Sequence, residues 1–127
     1  MTAYHEIFMH PGHPEETLLA DLAEACGVRL RLIGHEGVDY AANVGDAALE
    51  LELDHDYEED KGVPFERYRA VLTVRDFTGD KDRERLVAER LFHRLAALQR
   101  YWLVLVHDLQ RVIDRSAPPG EELYPPV

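Results

Sequence analysis

Four carboxylates at every second position, Glu50, Glu52, Asp54 and Asp56, are the residues whose spacing says most about their chemistry. In an extended chain, alternate side chains leave on the same side. Leu49, Leu51 and Leu53 fill the intervening positions, so the pattern predicts a strand over 47–57 with one apolar and one acidic face. Glu58 and Glu59 follow in a loop and extend the same surface. An acidic row of this kind can steer and hold a basic protein. It can also be neutralised across a hairpin. A turn about Lys61 sets Asp56 opposite Arg67 and Asp54 opposite Arg69. It leaves Glu52 and Glu50 opposite Val71 and Thr73, with Arg29 or Arg31 as their possible neighbours from another strand. Glu50 and Glu52 could also be drawn as a hydrolytic carboxylate pair. That chemistry needs a cleft and split pKa values, and a flat strand surface offers neither.

The histidines form the second group. His10-Pro11-Gly12-His13 has the spacing of two metal ligands, with His5 just before and Glu15 or Glu16 just after. A zinc site takes three or four ligands, and Cys26 is the only cysteine. The sequence therefore implies no metal and no cofactor. His5, His10 and His13 are the candidates for the alternative reading, a small metal- or ligand-binding protein or enzyme that uses the N-terminal histidine loop. His55 is expected on the core side of its strand, His93 on a solvated helix surface, and His107-Asp108 at a hairpin end. Ser116 is the only serine, and no nucleophile elbow, phosphate loop or H-E-x-x-H pattern is present. These features weigh against catalysis.

The elements that carry these residues are legible from periodicity. Residues 3–9 read as a strand. Pro14, Glu15 and Glu16 open a helix over 14–26, with an apolar stripe at Leu18, Leu19, Leu22, Ala23 and Cys26 and Gly27 as its C-cap. Val28, Leu30 and Leu32 alternate with Arg29 and Arg31, which predicts a strand with one buried and one basic face. Residues 34–45 are turn-rich, with room for a short extended piece at 38–44. A strand over 66–77 would turn Tyr68, Ala70, Leu72 and Val74 to the core. A helix over 81–99 would bury Leu86, Val87, Leu91, Phe92, Leu95 and Leu98. Residues 101–107 are apolar on both faces, as in a central strand, with core packing the expected role for Tyr101 and Trp102, and 110–114 give a last short strand. The order β-α-β-β-β-α-β-β implies an α+β fold: a mainly antiparallel sheet with two helices on one face and the other face largely open and charged. Residues 1–115 form one domain in this reading, and 116–127, with four prolines, form a tail.

The chain has 127 residues and a formal net charge of -11. Lys61 and Lys81 are its only lysines. That charge argues against a nucleic-acid backbone and against anionic membranes, both of which recruit cationic side chains. It favours a basic protein partner, or solubility alone. No apolar run reaches the ~20 residues of a membrane span, and the first residues lack a secretory pattern, so a cytoplasmic protein is expected. Cys26 is expected to be buried at a helix end. Leu123 and Tyr124 could dock the tail into an apolar groove. The sequence allows a monomer or a homodimer.

The second half carries a resemblance. It runs Pro64-Phe-Glu-Arg-Tyr-Arg-Ala-Val-Leu-Thr-Val, then a long helix, then Tyr101-Trp-Leu-Val-Leu-Val-His-Asp-Leu-Gln-Arg-Val-Ile. This layout resembles small immunity proteins of bacterial polymorphic, contact-delivered toxin systems. The resemblance covers residues 64–114 and rests on layout, so no binding residue is carried over. It implies a compact acidic α+β domain that neutralises a cognate toxin.

Overall fold

The computed structural model describes residues 3–127. Seven strands and two helices follow one another as β1 (His5–His10), α1 (Glu15–Cys26), β2 (Arg31–His35), β3 (Val38–Val44), β4 (Ala47–Glu52), β5 (Ala70–Asp76), α2 (Lys81–Ala96), β6 (Trp102–His107) and β7 (Arg111–Ser116). A single 3-10 turn, Phe65–Arg67, precedes β5. The strands make one sheet in the order β2-β3-β4-β5-β1-β6-β7. Every neighbouring pair is antiparallel. The fold is α+β.

Both helices cover one face. Leu18 and Leu22 of α1 and Leu91, Phe92 and Leu95 of α2 pack on Ile7, Met9, Leu49, Leu51, Leu72, Val74, Leu103 and Leu105. Each fully buried side chain of this size contributes about 1.5–3 kcal/mol, against about 0–1 kcal/mol for an exposed ion pair. The apolar alternation of β4 therefore sets its register, and the acids follow. α1 stops because Gly27 adopts a left-handed conformation, φ 79°, and its N–H donates to the Ala23 carbonyl at 2.8 Å. α2 starts where the Asp80 side chain accepts the Arg83 N–H at 3.0 Å.

Several expectations need correction. The piece at 38–44 is a full strand, β3. β4 ends at Glu52 rather than 57. Beyond Glu52 the chain leaves the sheet and crosses the face opposite the helices. There Val63, Phe65 and Tyr68 meet Phe8, Val71, Val104 and Val106 in a second apolar cluster. Tyr68 thus belongs to this cluster and not to the helix-side core. The C-terminal segment joins it: Trp102 Nε1 donates to the Glu122 carbonyl at 2.9 Å, and Arg115 donates to the Tyr124 hydroxyl at 2.7 Å. The face expected to be open is therefore covered over β1, β6 and the start of β5. This cover is why β6 is apolar on both faces.

Two apolar stripes were misassigned. Leu86 is 63% exposed on α2, and Glu84 and Ala88 are buried in its turn of the helix. Leu32 is 73% exposed, and Val28 is exposed as well. β2 begins only at Arg31 and lies at the sheet edge, where its side chains find little to pack on. Cys26 is buried, and burial pushes its thiol up to about 11 despite Arg94 nearby.

Candidate functional site

The register of the central strands places the acids. On the face away from the helices, Glu50 of β4 lies across from Thr73 of β5, and Thr73 lies across from Glu6 of β1. Val106 of β6 completes that row. The neighbouring row runs Glu52, Val71, Phe8, Val104. The hairpin register read from sequence holds for Glu50 and Glu52. Asp54 meets Arg69 at 3.4 Å, with both side chains largely exposed. Asp56 does not pair with Arg67, because the chain has left the sheet before reaching it. Glu50 is answered by Arg75 at 3.8 Å and not by Arg29 or Arg31.

The six expected acids thus divide. Glu50 and Glu52 are half-buried on the sheet, while Asp54, Asp56, Glu58 and Glu59 are exposed on the crossing segment. The four acids from Glu50 to Asp56 do not leave one strand together. They do lie on one continuous stretch of chain. Asp56, Glu58, Glu59 and Asp60 take part in none of the ion pairs among the described residues. Burial pushes the Glu52 carboxyl up, and Asp56, Asp39 and Asp54 push it further.

Glu6 belongs to the same site, and the sequence reading passed over it. It is only 8% exposed, and it takes part in none of the ion pairs among the described residues; the buried side-chain atoms left without a partner are His10 Nδ1, the Tyr68 hydroxyl and His107 Nε2. Burial pushes its pKa up to about 7, and the charges of Asp108 and Glu52 add to the rise. Tyr57 stands beside it on the crossing segment. Its ring meets Phe8 edge-on with centroids 5.8 Å apart. Burial first, then the Glu6, Glu52 and Asp56 carboxylates, push the Tyr57 phenol up. The signal that could have found Glu6 is its position: an acid between His5 and Ile7 inside an otherwise apolar strand.

His55 fixes the crossing segment. Its Nε2 contacts the Tyr68 carbonyl, and its Nδ1 accepts the Tyr57 N–H at 3.0 Å. Its ring packs edge-on against Phe8 with centroids 5.0 Å apart. Burial lowers its pKa, which favours the neutral ring these contacts require. His55 therefore holds Tyr57 in position.

The N-terminal histidines do not converge. His5 and His10 fall on opposite faces of β1, and His13 is exposed in the following loop. Among the described residues, no three His, Cys, Asp or Glu side chains are placed to hold a metal ion. His5 instead sits under α2, with its Nδ1 2.6 Å from Glu84 Oε1 and its ring stacked on His107 at 4.5 Å. His93 is exposed and lies 3.6 Å from Asp114. The described clefts are shallow and hold about 190 to 400 Å³, and none of the five is lined by serine, threonine or cysteine.

Comparison of the chain with protein-family models, with curated proteins and with solved structures finds no match. The site must be read from its own chemistry. Among the described residues, no helix is long and apolar enough to cross a membrane.

Proposed function

We propose that this chain is a protein-binding module that presents its acidic segment to a basic protein. Following the resemblance of residues 64–114, we take that partner to be a toxin which the chain neutralises. One observation carries the reading. Asp56, Glu58, Glu59 and Asp60 stand exposed on one segment without cationic partners, and a second acidic layer, Glu52 and Glu6, lies behind them. Like charges held this close repel one another, and a basic surface relieves the repulsion. The segment is also tied down by His55 and by the Phe65–Tyr68 cluster, so little ordering entropy is lost on docking.

Capture from lysate of the source cells tests the reading. At about 50 mM salt, where the Debye length is roughly 14 Å, the wild-type chain should retain a basic protein that elutes as salt rises to about 0.5 M. The double charge reversal Glu58→Lys, Glu59→Lys touches no core residue and should weaken retention at least about tenfold. The reading falls if no basic protein is retained at low salt, or if the reversed variant retains it equally well.

A further inference from the structure

We infer that two copies of this chain associate about a two-fold axis, through the apolar groove between α1 and the β2–β3 hairpin and the bare end of the sheet beside it. This surface belongs to the helix-bearing face, and the acidic segment crosses the other face. The inference is therefore independent of the proposed basic partner.

The sheet is wider than its helical cover. A helix occupies about 10 Å and a strand about 4.8 Å, so two helices shield roughly four strands of the seven. β2, at the edge beyond β3, is left bare on that face. Register puts Leu32 there. It pairs with Tyr40, and Tyr40 pairs with Leu51 of the helix-side core. Leu32 is 73% exposed, more than any other large apolar side chain before the final valine. Beside it, Leu19 and Ala23 of α1 face Leu30 and Tyr40 across a groove of about 400 Å³. The helix layer thus ends in a step with an apolar tread. Two such steps interlock when α1 of each copy lies over the bare strands of the other. Contiguous apolar surface of this kind marks a contact site.

The charges at the rim select a second copy over a basic protein. Glu16 stands on the α1 side of the groove and Arg29 on the β2 side. Both are exposed, and neither takes part in an ion pair among the described residues. A contact between identical patches repeats each interaction, so a two-fold that exchanges the two sides brings the Glu16 rim of each copy onto the Arg29 rim of the other. A basic partner would find one charge of each sign here and gain nothing from the acid. Each copy carries -11 overall, but at about 0.15 M salt charges beyond roughly 8 Å are screened, and the local match decides. The copies meet through side chains and not by joining strand edges, because a register shift between Leu32 and His35 interrupts the ladder that a shared sheet would need. The two acidic segments stay uncovered in the pair.

Sedimentation of the wild-type chain between about 5 and 500 µM at 0.15 M salt tests the inference. A dimer should form within that range and persist at about 0.5 M salt, where a basic partner would be released. Leu32→Asp and Arg29→Glu should each weaken association at least about tenfold. Adding Glu16→Arg to Arg29→Glu should restore it, whereas adding Glu121→Arg, which returns the same net charge far from the groove, should not. A wild-type monomer at 500 µM overturns the inference. So does a dimer that Leu32→Asp leaves intact, or equal rescue by the two added arginines. Leu32 lies outside the core, and the amide spectrum of Leu32→Asp checks that its fold is unchanged.

Discussion

Replacing Glu84 with alanine is expected to destabilise the fold by about 3 to 5 kcal/mol, the range for removing one member of a buried charged network. Glu84 has no exposed surface, and its carboxylate ties three elements together. Oε1 accepts the His5 N–H of β1 at 3.1 Å and faces the His5 ring at 2.6 Å. Oε2 accepts the Asp76 N–H at the end of β5 at 2.9 Å and the Lys81 ammonium at 3.3 Å. Alanine would leave two backbone N–H groups and an imidazole buried without partners, each costing about 1 to 3 kcal/mol. Glu84→Gln keeps one acceptor and should cost less. Urea denaturation of the three proteins measures the differences, and a loss below about 1 kcal/mol for the alanine variant would contradict the assignment.

The pH dependence of this network has a definite sign. Burial alone would raise the Glu84 carboxyl, but the Asp76 N–H, His5 and Lys81 together hold it below its usual 4.5. Its contribution is complete above that value and fades as pH falls below it. His5 acts in the same direction. Its pKa is lowered, chiefly by burial, so the fold resists protonating it as pH falls below 6.5. Acid should therefore loosen the junction of β1, β5 and α2 first.

Glu6→Gln is expected to do the opposite and stabilise the protein, by about 2 to 3 kcal/mol at pH 8.5 and by almost nothing at pH 4. Folding raises the Glu6 pKa from 4.5 to about 7. Between these values the folded chain holds a proton that the unfolded chain has released, so stability declines as pH rises through the window. A displacement of that size corresponds to about 3 kcal/mol. Glutamine cannot ionise and is spared the loss. Thermal or urea unfolding of both proteins across pH 4 to 8.5 measures it, and parallel stability profiles would refute the account.

Much of the architecture could be read along the chain because period two and period 3.6 are strong signals. Leu49, Leu51, Leu72 and Val74 alternate cleanly, and their register fixed Glu50 against Thr73 and Glu52 against Val71. The errors came from segments whose surroundings are supplied by distant chain. Nothing local says that Phe65 and Tyr68 will fold back across the sheet, so the acidic run through Asp54 and Asp56 reads as a longer strand than it makes. Nothing local says that Glu84 will be met by His5, 79 residues away, so Leu86 looks the better candidate for burial. Glu6 escaped for the same reason. Its place inside a mostly apolar strand is a local signal, but its burial follows only once both neighbouring strands and the crossing segment are in place.

The sheet has an unequal pair of coverings. One is a layer of two helices whose backbones satisfy their own hydrogen bonds. The other is irregular chain from Leu53 to Arg69, together with the segment after Ser116, pinned at scattered points such as His55, Tyr68 and Glu122. A covering of the second kind shares few backbone groups with the strands beneath it and is held to them by side-chain packing, such as the His55 ring against Phe8. Tyr57 rides on that covering and Glu6 on the rigid floor. A partner that touched both would act as a rivet, fastening the irregular covering to the sheet.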